Sequence, residues 1–202
     1  LEHCKERWSI KGSSHTPSDF SSVNISTQHL VALEESAKNS DNEILQLYPA
    51  NSLQQGFIYH ALSQPTDDAY RVQLLYDYHF ALDVEKYLAA WQACIEEYPI
   101  LRTAFNWEED IIQVIYKKGK LQYKLHDISD LTTQQLRDQR IIEIQQEDRM
   151  QGFDLTKPTL LRIHIIKQST EYYTVLKSDH HSISDGWSLP ILLDRLHQHY
   201  QA

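Results

Sequence analysis

The sequence predicts an α/β (α+β) fold, a mixed β-sheet flanked by helices, on three observations. Runs at strand density, rich in aromatic and β-branched residues (71–82, 101–107, 111–116, 159–167 and 172–178), alternate with helical periods at 53–62, 84–97, 132–150 and 187–200. The length of 202 residues is that of roughly one domain, with enough chain for a sizeable core. Five Gly and six Pro are few for 202 residues, which excludes collagen-like and low-complexity classes and favours long regular elements.

The first 45 residues differ in texture from the rest. KGSSHTPSDFSSVNIS (11–26) has no apolar period and reads as a linker, flanked by two helical pieces, LEHCKERW and STQHLVALEESAK. Ser26 is placed to cap the second, ahead of Leu30, Val31 and Leu33. From Tyr48 the pattern is that of a packed domain. Leu53, Phe57, Ile58 and Leu62 fall at helical spacing, and 71–82 follows as a long strand. Asp83 is the expected cap of an amphipathic helix over 84–97 that carries Leu88, Trp91 and Ile95. Pro99 closes it, because a residue before proline is pushed out of the helical region. The runs 101–107 and 111–116 read as a strand pair around the acidic turn 108–110. A polar helix over 132–150 turns Leu136, Ile141, Ile144 and Arg140 toward the core. Strands at 159–167 and 172–178 meet in a hairpin at 168–171, and a helix over 187–200 closes the chain.

Composition narrows the function classes. Nineteen Lys and Arg against 28 Asp and Glu give a net charge of −9, not the basic footprint of a duplex nucleic-acid binder. Cys4 and Cys94 lie far apart and form no CxxC pair, which reads as two reduced thiols. No apolar run approaches the roughly 20 residues of a membrane span. The N-terminus has neither an initiator Met nor a signal-peptide core, so the chain reads as a cytoplasmic piece of a longer one.

One segment carries chemistry: Ser178-Asp179-His180-His181-Ser182-Ile183-Ser184-Asp185-Gly186-Trp187-Ser188. Its two histidines sit at a strand's carboxyl end, where α/β proteins commonly build sites. His181 and Asp185 are separated by a turn, and Gly186 would give the backbone freedom to fold Asp185 back. Three readings are open on residue chemistry alone. A metal site lacks a spaced third ligand, and adjacent strand residues point to opposite faces. A Ser–His–Asp triad lacks a nucleophile elbow. The third is a buried structural histidine pair in a turn.

The segment HHSISDGWS resembles the HHxxxDG signature of nonribosomal peptide synthetase condensation domains, which share a chloramphenicol acetyltransferase-like fold. YPANSLQQGFIYHAL (48–62) and YPILRTAFNWE (98–108) are similar to that family's first two motifs, and GFDLTKPTLLRIHI (152–165) to the stretch before the histidine strand. The resemblance implies an N-terminal lobe of a condensation domain over 46–202, preceded at 1–45 by a linker whose LEHC…HTPSDF resembles the tail of an epimerization domain. The QQGFIYH form of the first motif resembles domains that take a D-configured donor residue. An epimerization lobe itself would continue DGVSWR where this chain has DGWSLP.

The resemblance further implies His181 as the catalytic residue and His180 as scaffold. Asp185 would pair with Arg102 to fix the histidine loop, and Gly186 would be positional. No cofactor is implied on the chain itself. Both substrates would ride on 4′-phosphopantetheine of donor and acceptor carrier proteins, and a second lobe of the same domain would complete the tunnel. The resemblance implies no nucleic-acid or membrane partner. Lys117, Lys118 and Lys120 offer a local basic patch for docking, and Tyr76, Tyr78, His79 and Phe80 read either as lobe-interface or as ordinary strand residues. As an isolated half, the chain would be inert or serve as a docking module.

Overall fold

The structure, a computed structural model, describes residues 15–65 and 67–202. In chain order these form α1 (Thr27–Asn39), β1 (Ile44–Pro49), α2 (Ser52–Ser63), β2 (Arg71–Tyr78), α3 (Val84–Glu97), β3 (Thr103–Asn106), β4 (Ile112–Tyr116), β5 (Gln122–Asp127), α4 (Gln134–Met150), β6 (Leu161–Ser169), β7 (Tyr172–His180) and α5 (Ser188–Gln201). Short 3-10 turns precede α1 at Pro17–Phe20 and β3 at Pro99–Arg102. Local chemistry sets the helix starts. The side chains of Ser26, Asn51 and Asp83 accept from the N–H groups of His29, Gln54 and Lys86, at 3.1, 2.9 and 3.0 Å. At the far end of α3, Tyr98 leaves the helix with φ −103° and ψ 106°, the extended geometry that Pro99 imposes on its predecessor.

The strands form two sheets. Four strands run in the order β2-β7-β6-β5, antiparallel except for the parallel β5/β6 pair. Three run antiparallel in the order β1-β4-β3. On β6, Leu161, Ile163 and Ile165 face a core shared with Ile58 of α2, Tyr87, Trp91 and Ile95 of α3, and Leu192 and Leu196 of α5. Ile166 and Leu176 instead pack with Ile144 of α4 and Ile128. Helices therefore cover both faces of the larger sheet, which explains why β6 and β7 are nearly continuous buried runs. None of the described helices is long and apolar enough to cross a membrane.

The structure differs from the sequence expectations at definite places. The strand expected over 71–82 ends at Tyr78, and the one expected from 101 begins only at Thr103, because the proline-led turn occupies 99–102. β1 and β5 were not anticipated. A register shift between Ile44 and Gln46 breaks the period-2 pattern of β1. β5 is an edge strand with Tyr123 and Leu125 exposed, defined by its pairing to β6 rather than by apolar residues. On α4, Ile144 turns inward as expected, but Leu136 is 49% exposed and Arg140 pairs with Glu143 and Glu147 at the surface. The second residue that α4 buries is Asp148. From residue 15 onward the stretch read as linker is packed: Phe20 and Ile25, with Leu30 of α1, join Leu47, Ile112 and Val114 against the smaller sheet. The helical piece expected at 1–8, with Cys4, lies outside the described residues.

Candidate functional site

The two adjacent histidines part company at the end of β7. His180, the last strand residue, is buried and shares a 2.8 Å hydrogen bond between its Nδ1 and the Ser182 hydroxyl. The Ser182 N–H also donates to that nitrogen at 3.3 Å, which assigns the proton of the neutral ring to Nε2. Burial, chiefly, with help from Arg71 and His181 and against the pull of Asp179, pushes the His180 pKa down to about 4. His180 is therefore a neutral structural imidazole near pH 7.

His181, one residue into the turn, is half-buried and oriented from several sides. Its backbone N–H donates to the Tyr70 carbonyl at 2.9 Å, and its ring stacks on Phe57 of α2 at 5.3 Å between centroids. Its Nδ1 lies 2.7 Å from the Ser184 carbonyl oxygen. A carbonyl can only accept, so Nδ1 carries the proton, and the neutral ring holds its lone pair on Nε2. Helix α2 secures the same turn: Gln54, one helical turn before Phe57, donates to the Ser182 carbonyl at 3.0 Å. This arrangement can take up a proton at Nε2 and hold it in a fixed direction.

Sequence reasoning missed the residues behind Ser184. Asp179, buried on β7, accepts from the Ser184 hydroxyl and from the Lys177 ammonium, itself 2% exposed. Lys177 and Asp179 stand at i and i+2 on one strand and so share a face. Two charged residues at i and i+2 in a strand buried almost throughout were the available signal. A second buried cluster surrounds Asp148, which accepts from Arg162, Ser178, Gln73 and His164, the last at 3.0 Å. Its composition is that of a Ser–His–Asp set, but Ser178 bonds the carboxylate rather than the imidazole, so no activated serine results. Burial alone would raise the Asp148 pKa, yet the hydrogen bonds of His164, Ser178, Arg162 and Gln73 outweigh it and hold the carboxyl well below the usual range. Among the described residues, no three His, Cys, Asp or Glu side chains group to hold a metal ion.

The expected pair of Asp185 and Arg102 is not formed. The exposed Asp185 carboxylate accepts from the N–H groups of Trp187 and Ser188, at 3.1 and 2.7 Å, and so organises the entry to α5. Arg102 donates from Nη1 to the Glu96 carbonyl at 3.0 Å, leaving its Nε buried without a partner. Arg102 lies against the close-packed Gly119, whereas Asp185 faces solvent. Gly186 shows no left-handed backbone, and a Cβ there would meet nothing within 4 Å, so this chain's geometry does not require glycine. Of the basic patch, Lys117 pairs with Glu43 and Lys118 with Asp41, tying the β4–β5 turn to the α1–β1 loop. Both line, with Lys120, an open cleft of about 1050 Å³. Tyr76 and Tyr78 belong to the core: their hydroxyls meet Tyr87 and His197, each at 2.8 Å. His79 stacks on Tyr172, and Phe80 is 44% exposed.

Comparison with known proteins places the chain in a family. The sequence model described as "Condensation domain" matches residues 44–202. Among curated relatives, N-(5-amino-5-carboxypentanoyl)-L-cysteinyl-D-valine synthase of Amycolatopsis lactamdurans is 39% identical over 155 residues, covering 76% of this chain and 4% of that protein. Bacitracin synthase 3 of Bacillus licheniformis is 30% identical over 203 residues, covering all of this chain and 3% of that protein. The chain thus spans only a few per cent of these relatives. A solved four-domain nonribosomal peptide synthetase, holo-AB3403 bound to AMP and glycine, superposes with a TM-score of 0.69 at 25% identity, covering 79% of this chain and 12% of that one. The starter condensation domain of rhizomide synthetase RzmA gives 0.65 at 18% identity, covering 74% and 37%. The two-sheet architecture is therefore the chloramphenicol acetyltransferase-like fold. With its histidine turn intact and more than half of its length matched, the chain belongs to the condensation domain family of nonribosomal peptide synthetases.

Proposed function

We propose that residues 46–202 are the N-terminal lobe of a condensation domain that joins a donor peptidyl thioester, D-configured at its last residue, to an acceptor aminoacyl thioester. Both substrates ride on the 4′-phosphopantetheine arms of carrier proteins, and a second lobe closes the tunnel around them. The observation that carries this reading is the His181 imidazole, half-exposed, with Nδ1–H fixed on the Ser184 carbonyl and the Nε2 lone pair left to act. The QQGFIYH form of the first motif supports the D-donor assignment.

The reaction exchanges a C–S bond for a C–N bond and moves one proton from nitrogen to sulfur. The acceptor amine nitrogen attacks the donor thioester carbon, the C–N bond forms, and collapse of the tetrahedral adduct breaks C–S. The proton lost by the amine is taken at His181 Nε2 and delivered to the departing thiolate. A free α-amine has a pKa near 7.7–8.0, so about a quarter or more is already neutral at pH 7.5. Activating the ground-state amine is thus worth only about 1 kcal/mol. Proton removal from the adduct contributes typically about 10²–10⁴-fold, and orientation of the amine can contribute more. His181 acts as positioner and late proton acceptor, with His180 as scaffold and Asp185 shaping the turn that follows.

The test is peptide-bond formation by the full two-lobed domain with two loaded carriers. His181→Ala should lose most turnover and keep the wild-type melting temperature. Near-wild-type turnover would overturn the assignment. One lobe assayed alone should form no peptide, since in this reading the tunnel that aligns two arms and excludes water lies between two lobes.

A further inference from the structure

We propose that Lys177, Asp179 and Ser184 form a positioning latch that sets the tautomer and direction of His181. The inference rests on the catalytic reading of His181 but concerns residues outside the HHxxxDG pattern. Asp179 lies at the closely packed end of β7, 1% exposed, and its two carboxylate oxygens are divided between two partners. Oδ1 accepts from the buried Lys177 ammonium and Oδ2 from the Ser184 hydroxyl. Ser184 then presents its own carbonyl to His181 Nδ1 at 2.7 Å. The connection is continuous: a buried ion pair, a hydroxyl held by it, the carbonyl of the same residue, and the imidazole.

The physical logic follows from each link. The turn between β7 and α5 is tied at His181, Ser182 and Ile183 by bonds with Tyr70, Gln54 and His180, and at Ser184 it is the hydroxyl's bond to Asp179 that orients the carbonyl. The buried carboxylate fixes it, because an unpaired carboxylate there would be costly and each acceptor site is strongly filled. Lys177 compensates the charge that Asp179 carries into the core, so the buried carboxylate has a partner for each oxygen. The carboxylate that governs His181 is thus Asp179, acting through Ser184. Asp185, four residues beyond His181, is occupied with the entry to α5.

Ser184→Ala is the clean probe, because it removes only the hydroxyl and leaves the Lys177–Asp179 pair intact. Asp179→Ala strands a buried ammonium and is the variant at risk of not folding. In the 202-residue chain, ¹⁵N NMR of the histidine rings, with His181 assigned by its loss in His181→Ala, should show one Nδ1–H tautomer. Ser184→Ala should convert it to a mixture, and Ser184→Thr, which restores a hydroxyl, should return it. In the two-lobed domain Ser184→Ala should lower kcat by about 10- to 100-fold with KM nearly unchanged. An unmixed tautomer in a folded Ser184→Ala chain would overturn the latch. If the tautomer mixes but kcat stays at wild type, the latch stands and the catalytic reading of His181 fails.

Discussion

Replacing Asp148 with alanine should unfold this domain far more readily than its place on a polar helix suggests. Asp148 is 2% exposed, near the end of α4, and is one of only two residues which that helix buries. Its carboxylate receives Arg162, His164, Ser178 and Gln73, from β6, β7 and β2. Alanine leaves the Arg162 guanidinium, 4% exposed, with only the carbonyls of residue 148 and Gln151 as acceptors. Removing one partner of a buried pair costs about 3–5 kcal/mol, because the other charge stays desolvated. For a chain of this length that lowers Tm by about 6–20 °C, at about 2–4 °C per kcal/mol. The assay is thermal and urea unfolding of the wild type, Asp148→Ala, Arg162→Ala and the double variant. The double variant should cost less than the sum, since the stranded charge is then gone. A loss below about 1 kcal/mol in Asp148→Ala, or strict additivity, would refute the view that this carboxylate clamps α4 to the sheet.

Other outcomes follow from the same structure. The His180 pKa falls from 6.5 to about 4 in the folded state, so between those values the unfolded chain binds more protons. The associated stability is complete above pH 6.5 and declines as pH falls toward 4, by about 2–3 kcal/mol at pH 4.5. Urea unfolding of His180→Asn should be flatter over that window by this amount, and equal slopes would contradict it. Gly119→Ala places a Cβ 2.7 Å from Ile95 Cγ2 and 2.8 Å from Arg102 Cβ, so overpacking should cost about 1–3 kcal/mol. An unchanged Tm there would show that the corner yields freely. Asp185→Ala and Arg102→Ala should be additive in Tm, because the two residues do not touch, and a measurable coupling would reinstate their pairing.

How much was legible from sequence depended on how local the physics was. Helix caps at Ser26 and Asp83, the stop at Pro99 and the hairpin between β6 and β7 involve residues a few positions apart, and these were read correctly. The HHxxxDG run pointed to the family because several residue types recur at fixed spacing in one turn. β5 could not be seen, because an exposed edge strand is defined by its neighbour, and its parallel pairing to β6 spans some 40 residues. The inward turn of Asp148 and the packing of Phe20 on the smaller sheet likewise depend on surfaces far away in the chain. Asp185 shows the limit most directly: the motif names the residue, but its partner was settled by where α5 begins and where Arg102 is trapped. Sequence alone determined the helices, most of the strands and the residue content of the histidine turn. Tertiary structure decided which buried carboxylate holds that turn, because a charge in a core is stabilised by whichever partners the packed chain brings to it.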